Sequence, residues 1–172
     1  MKNIVLALVF LGAFFNHSVE AQKIAVIDLN NILEAMPEFR KAQDQLDKIA
    51  SEWRQEIANE YDKINSMYNK YQAEQVLMSD EMRRQKEEEI IAKEQEVRDL
   101  QRERFGPEGQ LFSKRQELVQ PIQEKVFAAI EEYAKERAYD VILEKDSAAG
   151  ILFVSDELDK TSDIRRKLNI RN

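Results

Sequence analysis

RERFGPEGQLF (residues 102–112) breaks the character of the chain around it. From Glu38 to Arg104 the sequence is dominated by helix formers: Glu, Lys, Arg, Gln, Ala and Leu. Gly106, Pro107 and Gly109 then arrive together, and beyond residue 21 the only other glycine is Gly150. The stretch is the tip of a long helical hairpin, a boundary between domains, or a joint within one arm. Were it the tip, the outward helix 38–104 would run about 100 Å and the return 110–138 about 45 Å, at 1.5 Å per residue. A turn at Leu77-Met78-Ser79-Asp80 instead gives arms of about 70 and 88 Å, counted from Asn31, and a break in the longer arm absorbs part of the excess. Ser79 suits a helix N-cap, and Asp80 and Glu81 suit a first turn, where the helix dipole favours negative charge. The reading therefore places the tip near 77–80 and makes 105–109 a break in the returning arm.

The arm's apolar residues follow helical spacing. Phe39, Ala42, Leu46, Ile49, Trp53, Ile57, Tyr61, Ile64, Tyr68 and Tyr71 are separated by steps of three or four, the near-heptad pattern of one buried stripe. It thins after the tip to Met82, Ile90, Ile91, Val97 and Leu100, then returns at Leu111, Leu118, Ile122, Val126, Ile130 and Tyr133. Pro121 predicts a bend or a fresh first turn. Outside the arm the period changes. KIAVIDL (23–29) reads as a buried strand, with Asn30 or Asn31 capping a short helix that Pro37 ends or kinks. YDVILEKD (139–146) and GILFVSD (150–156) read as a strand pair around Ser147-Ala148-Ala149, and Thr161-Ser162-Asp163 as the cap of a last helix through Leu168. Strands at both ends must meet, so the predicted fold is α+β and mostly α. A helical hairpin, 38–138, is inserted in a small β/α body made of 22–37 and 139–172. Three short strands with open edges are marginal alone, so the body is expected to form an oligomer through Ile24, Val26, Ile27, Val141, Leu143, Leu152 and Val154.

MKNIVLALVFLGAFFNHSVEAQ (1–22) reads as a secretory signal: Lys2, an apolar run over 4–15, and Val19-Glu20-Ala21 before cleavage. A spanning helix needs about twenty apolar residues, more than this run supplies. The mature chain would start at Gln22. His17, the only histidine, lies in that segment, and the sequence has no cysteine. The sites that depend on these residues are excluded: zinc, copper, haem, catalytic triads, thiol chemistry and disulfides. Too few glycines remain for a phosphate-cradling loop. Paired carboxylates are abundant, but such a chain is not expected to build the concave pocket that glycosidase-type chemistry needs. No catalytic residue, metal or cofactor is expected.

The net charge is −7 with both signs interspersed. There is no basic stripe, so nucleic acid is not an expected partner. Mixed charge is the surface of a solvated helix.

KIAVIDLNNILEAMPEF, LVQPIQEKVFAAIEEYAKERAYDVILEK and DELDKTSDIRRKL, across residues 22–170, resemble the Skp (OmpH-like) family of periplasmic chaperones. The resemblance implies a homotrimer in the periplasm. A β-barrel-like body would carry three helical tentacles around a cavity and hold unfolded outer-membrane β-barrel proteins without ATP. Well-known members are strongly basic, whereas the pI here is near 5.0, so an attraction to lipopolysaccharide through net positive charge is not expected, and membrane contact is at most peripheral.

A holdase needs many weak, adaptable apolar contacts. The candidates are Tyr61, Tyr68 and Tyr71 on the outward arm, and Leu77, Met78 and Met82 at the tip. Each tyrosine also has the simpler reading of packing on the returning helix, and Trp53 is expected in the seam between the arms. Gly106, Pro107 and Gly109 are read as a hinge, steadied by Phe105 and Phe112. The rival readings are a structural or adaptor coiled coil of the cell envelope and an exported hydrolase.

Overall fold

The computed structural model describes residues 22–146 and 150–170; the signal segment and Ser147-Ala148-Ala149 lie outside the described residues. Strand β1 (Ile24–Ile27) leads into α1 (Leu29–Ala35) and α2 (Pro37–Glu74). A short 3₁₀ turn (Gln75–Leu77) follows, then α3 (Asp80–Phe105), α4 (Gln110–Arg137), β2 (Val141–Glu144) and α5 (Thr161–Lys167).

β1 and β2 pair in parallel, with Ile24 opposite Val141 and Ile27 opposite Glu144. A parallel pair requires a crossover, and here the crossover is the entire helical hairpin. The other edge of β1 is closed by residues 158–160: Val26 N–H donates to Leu158 O at 2.8 Å, and Lys160 N–H donates to Val26 O at 2.8 Å. β1 is thus central, and among the described residues β2 pairs only with β1.

Several local expectations are corrected. The α1 cap is Asp28, whose carboxylate accepts the Asn31 N–H at 2.7 Å. A cap must be the last non-helical residue, and Asp28 is still extended while Asn30 and Asn31 are inside the helix. Met36 is extended too, as a residue before proline prefers, so Pro37 ends one helix by starting the next. α4 runs through Pro121 without a fresh start. The cap of α5 is Lys160, not Thr161; the Thr161 hydroxyl is taken by the Asp28 N–H at 2.9 Å, and its own N–H donates to Asp159 at 2.9 Å. GILFVSD forms no strand. A strand needs a ladder partner as well as apolar side chains; both edges of β1 are occupied, and residues 150–156 do not pair with the outer edge of β2.

The body core gathers Ile27, Ile32, Leu33, Met36, Val126, Tyr133 and Ile164. Tyr133 stacks on Tyr139 at 5.8 Å and donates to Asp163 at 2.9 Å, tying α4 to α5. Burial first and that bond second hold its hydroxyl protonated. The lower part of α4 is therefore body, which is why α2, about 57 Å long, can be matched by a longer return.

A second cluster, Ile57, Ile64, Ile90 and Val97, forms the arm seam with Met67, Tyr71, Leu100 and Phe105. On α2 the buried or half-buried Leu46, Ala50, Trp53, Ile57, Ile64, Met67 and Tyr71 follow one three–four alternation. Their three–four alternation has a place at 60, and Glu60 fills it. Its carboxylate takes Lys63 Nζ at 2.6 Å and, across the seam, meets Lys93 Nζ at 2.8 Å. The second contact is an ion pair whose geometry falls outside hydrogen-bond directionality at Oε2. Lys93 in turn holds Glu96 at 3.1 Å. The stripe read from sequence therefore divides: Ile49, Tyr61 and Tyr68 lie off this alternation.

Lys63 first and Lys93 second hold the Glu60 carboxyl down to about 2, from an ordinary value of 4.5. A depressed carboxyl stabilises the fold above its unfolded pKa, and this contribution is lost as pH falls from about 4.5 through about 2. Melting curves of the native chain and of Glu60→Gln are expected to differ at pH 6 and to converge towards pH 2; a gap independent of pH would show that the charge contributes nothing.

Candidate functional site

The tip is the most exposed apolar part of the arm. Val76 is 85% and Leu77 91% exposed, and Met82 is half-exposed. The 3₁₀ turn is too short to bury them, and Ser79 restarts the helix by accepting the Met82 N–H at 3.3 Å. Met78 turns inward and lines a pocket of about 200 Å³ with Met67, Tyr71 and Ile90.

The three tyrosines differ. Tyr68 donates its hydroxyl to Glu94 at 2.9 Å, and Tyr71 donates to Glu87, so both clamp α2 to α3. These carboxylates, through the hydrogen bonds first, raise both phenol pKa values. Tyr71 is half-buried in the seam, while Tyr61 and Tyr68 keep exposed ring surface. Ile91, also exposed, lies on α3 three residues from Glu94. The sequence reading missed Val76 and Ile91 as candidate apolar contacts. Val76 sits beside Leu77 in the turn and could have been named from that alone.

At the joint, α3 ends at Phe105 and α4 begins at Gln110. Gly106 N–H donates to Arg102 O at 2.8 Å, Gly109 N–H to Gly106 O at 2.9 Å, and Ser113 N–H to Gly109 O at 3.1 Å. Neither glycine is in the left-handed region. The demand for glycine comes from close approach: a Cβ at 106 would stand 2.4 Å from Arg102 O, and one at 109 would stand 2.8 Å from Glu103 O. Trp53 anchors the corner. Phe105 meets its ring edge-on at 6.2 Å, the Arg104 guanidinium lies 4.6 Å from its centroid, and Arg104 reaches Glu56 at 3.3 Å. Phe112 is exposed, so Phe105 alone of the flanking pair packs on Trp53. A cleft of about 920 Å³ opens beside Trp53, Gly106, Pro107 and Gly109.

In the body, Ile27 points into the chain's own core, and Val26 is also buried. Ile24, Val141 and Leu143 are exposed on the sheet. Leu152 is fully exposed, Phe153 is 84% exposed, and Val154 is half-buried. Phe153 was absent from the expected set, although it stands in the same apolar run. Among the described residues no group of His, Cys, Asp and Glu could hold a metal ion, and no helix is long and apolar enough to cross a membrane. The arrangement offers weak apolar contact at several places.

No curated protein matches the sequence. Among solved structures, a proposed outer membrane chaperone (OmpH-like) from Caulobacter crescentus CB15 superposes with a TM-score of 0.70 over 91% of this chain and 89% of its own. At 11% identity that likeness is one of fold. The sequence itself matches the family described as Outer membrane protein (OmpH-like) over residues 23–168, from β1 through α5. The chain belongs to the OmpH-like outer membrane protein family.

Proposed function

We propose that this protein is an ATP-independent periplasmic holdase that binds unfolded outer-membrane β-barrel proteins and prevents their aggregation. The observation that carries the reading is apolar surface spread along a projecting arm, at Val76, Leu77, Met82, Tyr61, Tyr68 and Ile91, with charge of both signs around it. Dispersed weak contacts suit clients of unrelated sequence, and several arms make later contacts intramolecular. The Caulobacter neighbour's description as a proposed outer membrane chaperone supports the same reading. Residues 1–21 would direct export and be cleaved after Ala21. Capture needs no cofactor and no catalysis. The structural coiled-coil alternative draws support from the regular seam between Leu46 and Tyr71. At micromolar concentration the mature protein is expected to suppress aggregation of a urea-diluted β-barrel protein without nucleotide; no suppression would favour the structural role.

The body is proposed to assemble a homotrimer through the outer sheet face of Ile24, Val141 and Leu143, with Leu152, Phe153 and Val154. Buried Val26 and Ile27 would support this face from within the chain. Leu143→Asp leaves the chain's own core untouched but would bury an unpaired charge in the interface, at a cost of several kcal/mol. Light scattering is expected to find single chains in that variant. An unchanged mass would remove this face from the interface.

Gly106, Pro107 and Gly109 are proposed to be a hinge that adapts the cavity to client size. Replacing all three with Ala forbids the present corner, because the added Cβ atoms would meet backbone oxygens. It also relieves helix penalties of about 3 kcal/mol for the proline and about 1 for each glycine. The variant is expected to gain helix and to narrow the distribution of distances between spin-labelled tips, with capture of large clients falling most. An unchanged distribution with undiminished capture would leave the triplet a fixed corner.

A further inference from the structure

One row of α2 differs from the rest of the surface. Ala58, Tyr61, Asn65, Tyr68 and Gln72 recur at steps of three and four, and all five are exposed. None is charged, in a chain whose residues are 34% charged. The row across the seam is Glu56, Lys63 and Lys70, of which Glu56 binds Arg104 and Lys63 binds Glu60. Tyr68 places the uncharged row beside Glu94 of α3, and exposed Ile91 continues it on that helix. On α2 the two rows are therefore unlike, one laced with ions and one of aromatic, amide and aliphatic groups, the latter bordered on α3 by Glu94 and its ion-pair partner Arg98.

We infer that this uncharged row is the docking surface for an extended segment of unfolded polypeptide. The inference rests on the holdase reading and gives it a place and a mode. The chemistry selects the occupant. An extended chain presents backbone N–H and C=O groups whatever its sequence, and the Asn65 and Gln72 amides each offer donors and an acceptor to them. Among the described residues, these two side-chain amides make no hydrogen bond within the chain. Tyr61 and Tyr68 add amphipathic rings that lose little conformational entropy on contact, a pairing of residue types that suits adaptable recognition. Fixed charges along the row would have to be desolvated beneath an apolar client segment, at a cost that their absence avoids. From 58 to 72 the row is roughly 21 Å long at 1.5 Å per residue, which matches about six residues of extended chain at 3.3 Å each.

The test places charge on each side of the arm. Asn65→Glu with Gln72→Glu, and separately Asn65→Lys with Gln72→Lys, modify the row. Ser66→Glu with Ala73→Glu, and the corresponding Lys pair, modify exposed positions on the other side. Each variant is measured for helix content, for mass by light scattering, and for binding of a fluorescently labelled, urea-diluted outer-membrane β-barrel protein. Both row variants are expected to bind about tenfold more weakly, roughly 1.4 kcal/mol, with helix and mass unchanged, and both controls to stay within about twofold. The use of both signs separates docking from a change in net charge. Equal binding by row and control variants would overturn the inference while leaving the holdase reading intact. A fall in mass in the row variants would assign the row to a second copy of this chain and overturn it as well. Failure of the native protein to bind the client would remove the holdase reading, and this inference with it.

Discussion

The parallel pairing of β1 with β2 is the constraint on which the rest depends. Lys23 N–H donates to the Asp140 carboxylate at 2.7 Å across 117 residues of sequence, and the ladder continues from Ile24 to Glu144. Everything between must leave the body and come back at a fixed point. Two long helices and a turn are the cheapest solution in hydrogen bonds, because each helix satisfies its own backbone. Asp28 and Pro37 then set the exit, and the lower turns of α4 set the return by packing Val126 and Tyr133 against α1 and α5.

Away from the body the arm has little to hold it. Its seam is a single narrow stripe, and at Glu60 and Lys93 it is ionic. An ion pair in an apolar line adds little net stability, but it penalises any register that separates the partners. The Trp53, Phe105 and Arg104 stack does a related job at the joint. The seam thus fixes which side of the arm carries Tyr61 and Tyr68 and which carries Glu56 and Lys63. The two sides can differ in character because the helices cannot roll past one another.

The overall design, a helical hairpin inserted in a small β-body, is legible because period and helix-ending chemistry are local properties. Ser79 caps α3 through its own hydroxyl, and Pro37 begins α2 through its own ring. What sequence did not yield depends on partners far along the chain. Asp28 caps α1 because β1 keeps it extended, and Thr161 is occupied because it meets Asp28. GILFVSD has strand composition without a ladder: residues 158–160 close β1, and the segment does not pair with β2. Glu60 was passed over because a search for apolar spacing skips a carboxylate, and with it went the distinction between seam tyrosine and exposed tyrosine. Tyr61, Tyr68, Leu77 and Met82 were named as candidates from sequence, Val76 and Ile91 were not, and the sides on which they stand depend on the seam.

The same ladder has a kinetic meaning. A chain made from its N-terminus presents β1 long before β2 exists, so its inner edge must wait for more than a hundred residues of synthesis. Closing so long a loop from a random coil is entropically unfavourable and slow. The arm changes the problem, because its helices form from local contacts and its turn at Gln75–Leu77 brings Phe39 and Ile122 to the same end of the hairpin. The effective loop then shrinks from the whole crossover to the few residues at each root. The hairpin is a folding tether for its own body, and loosening its seam would slow the closure of a sheet that the seam never touches.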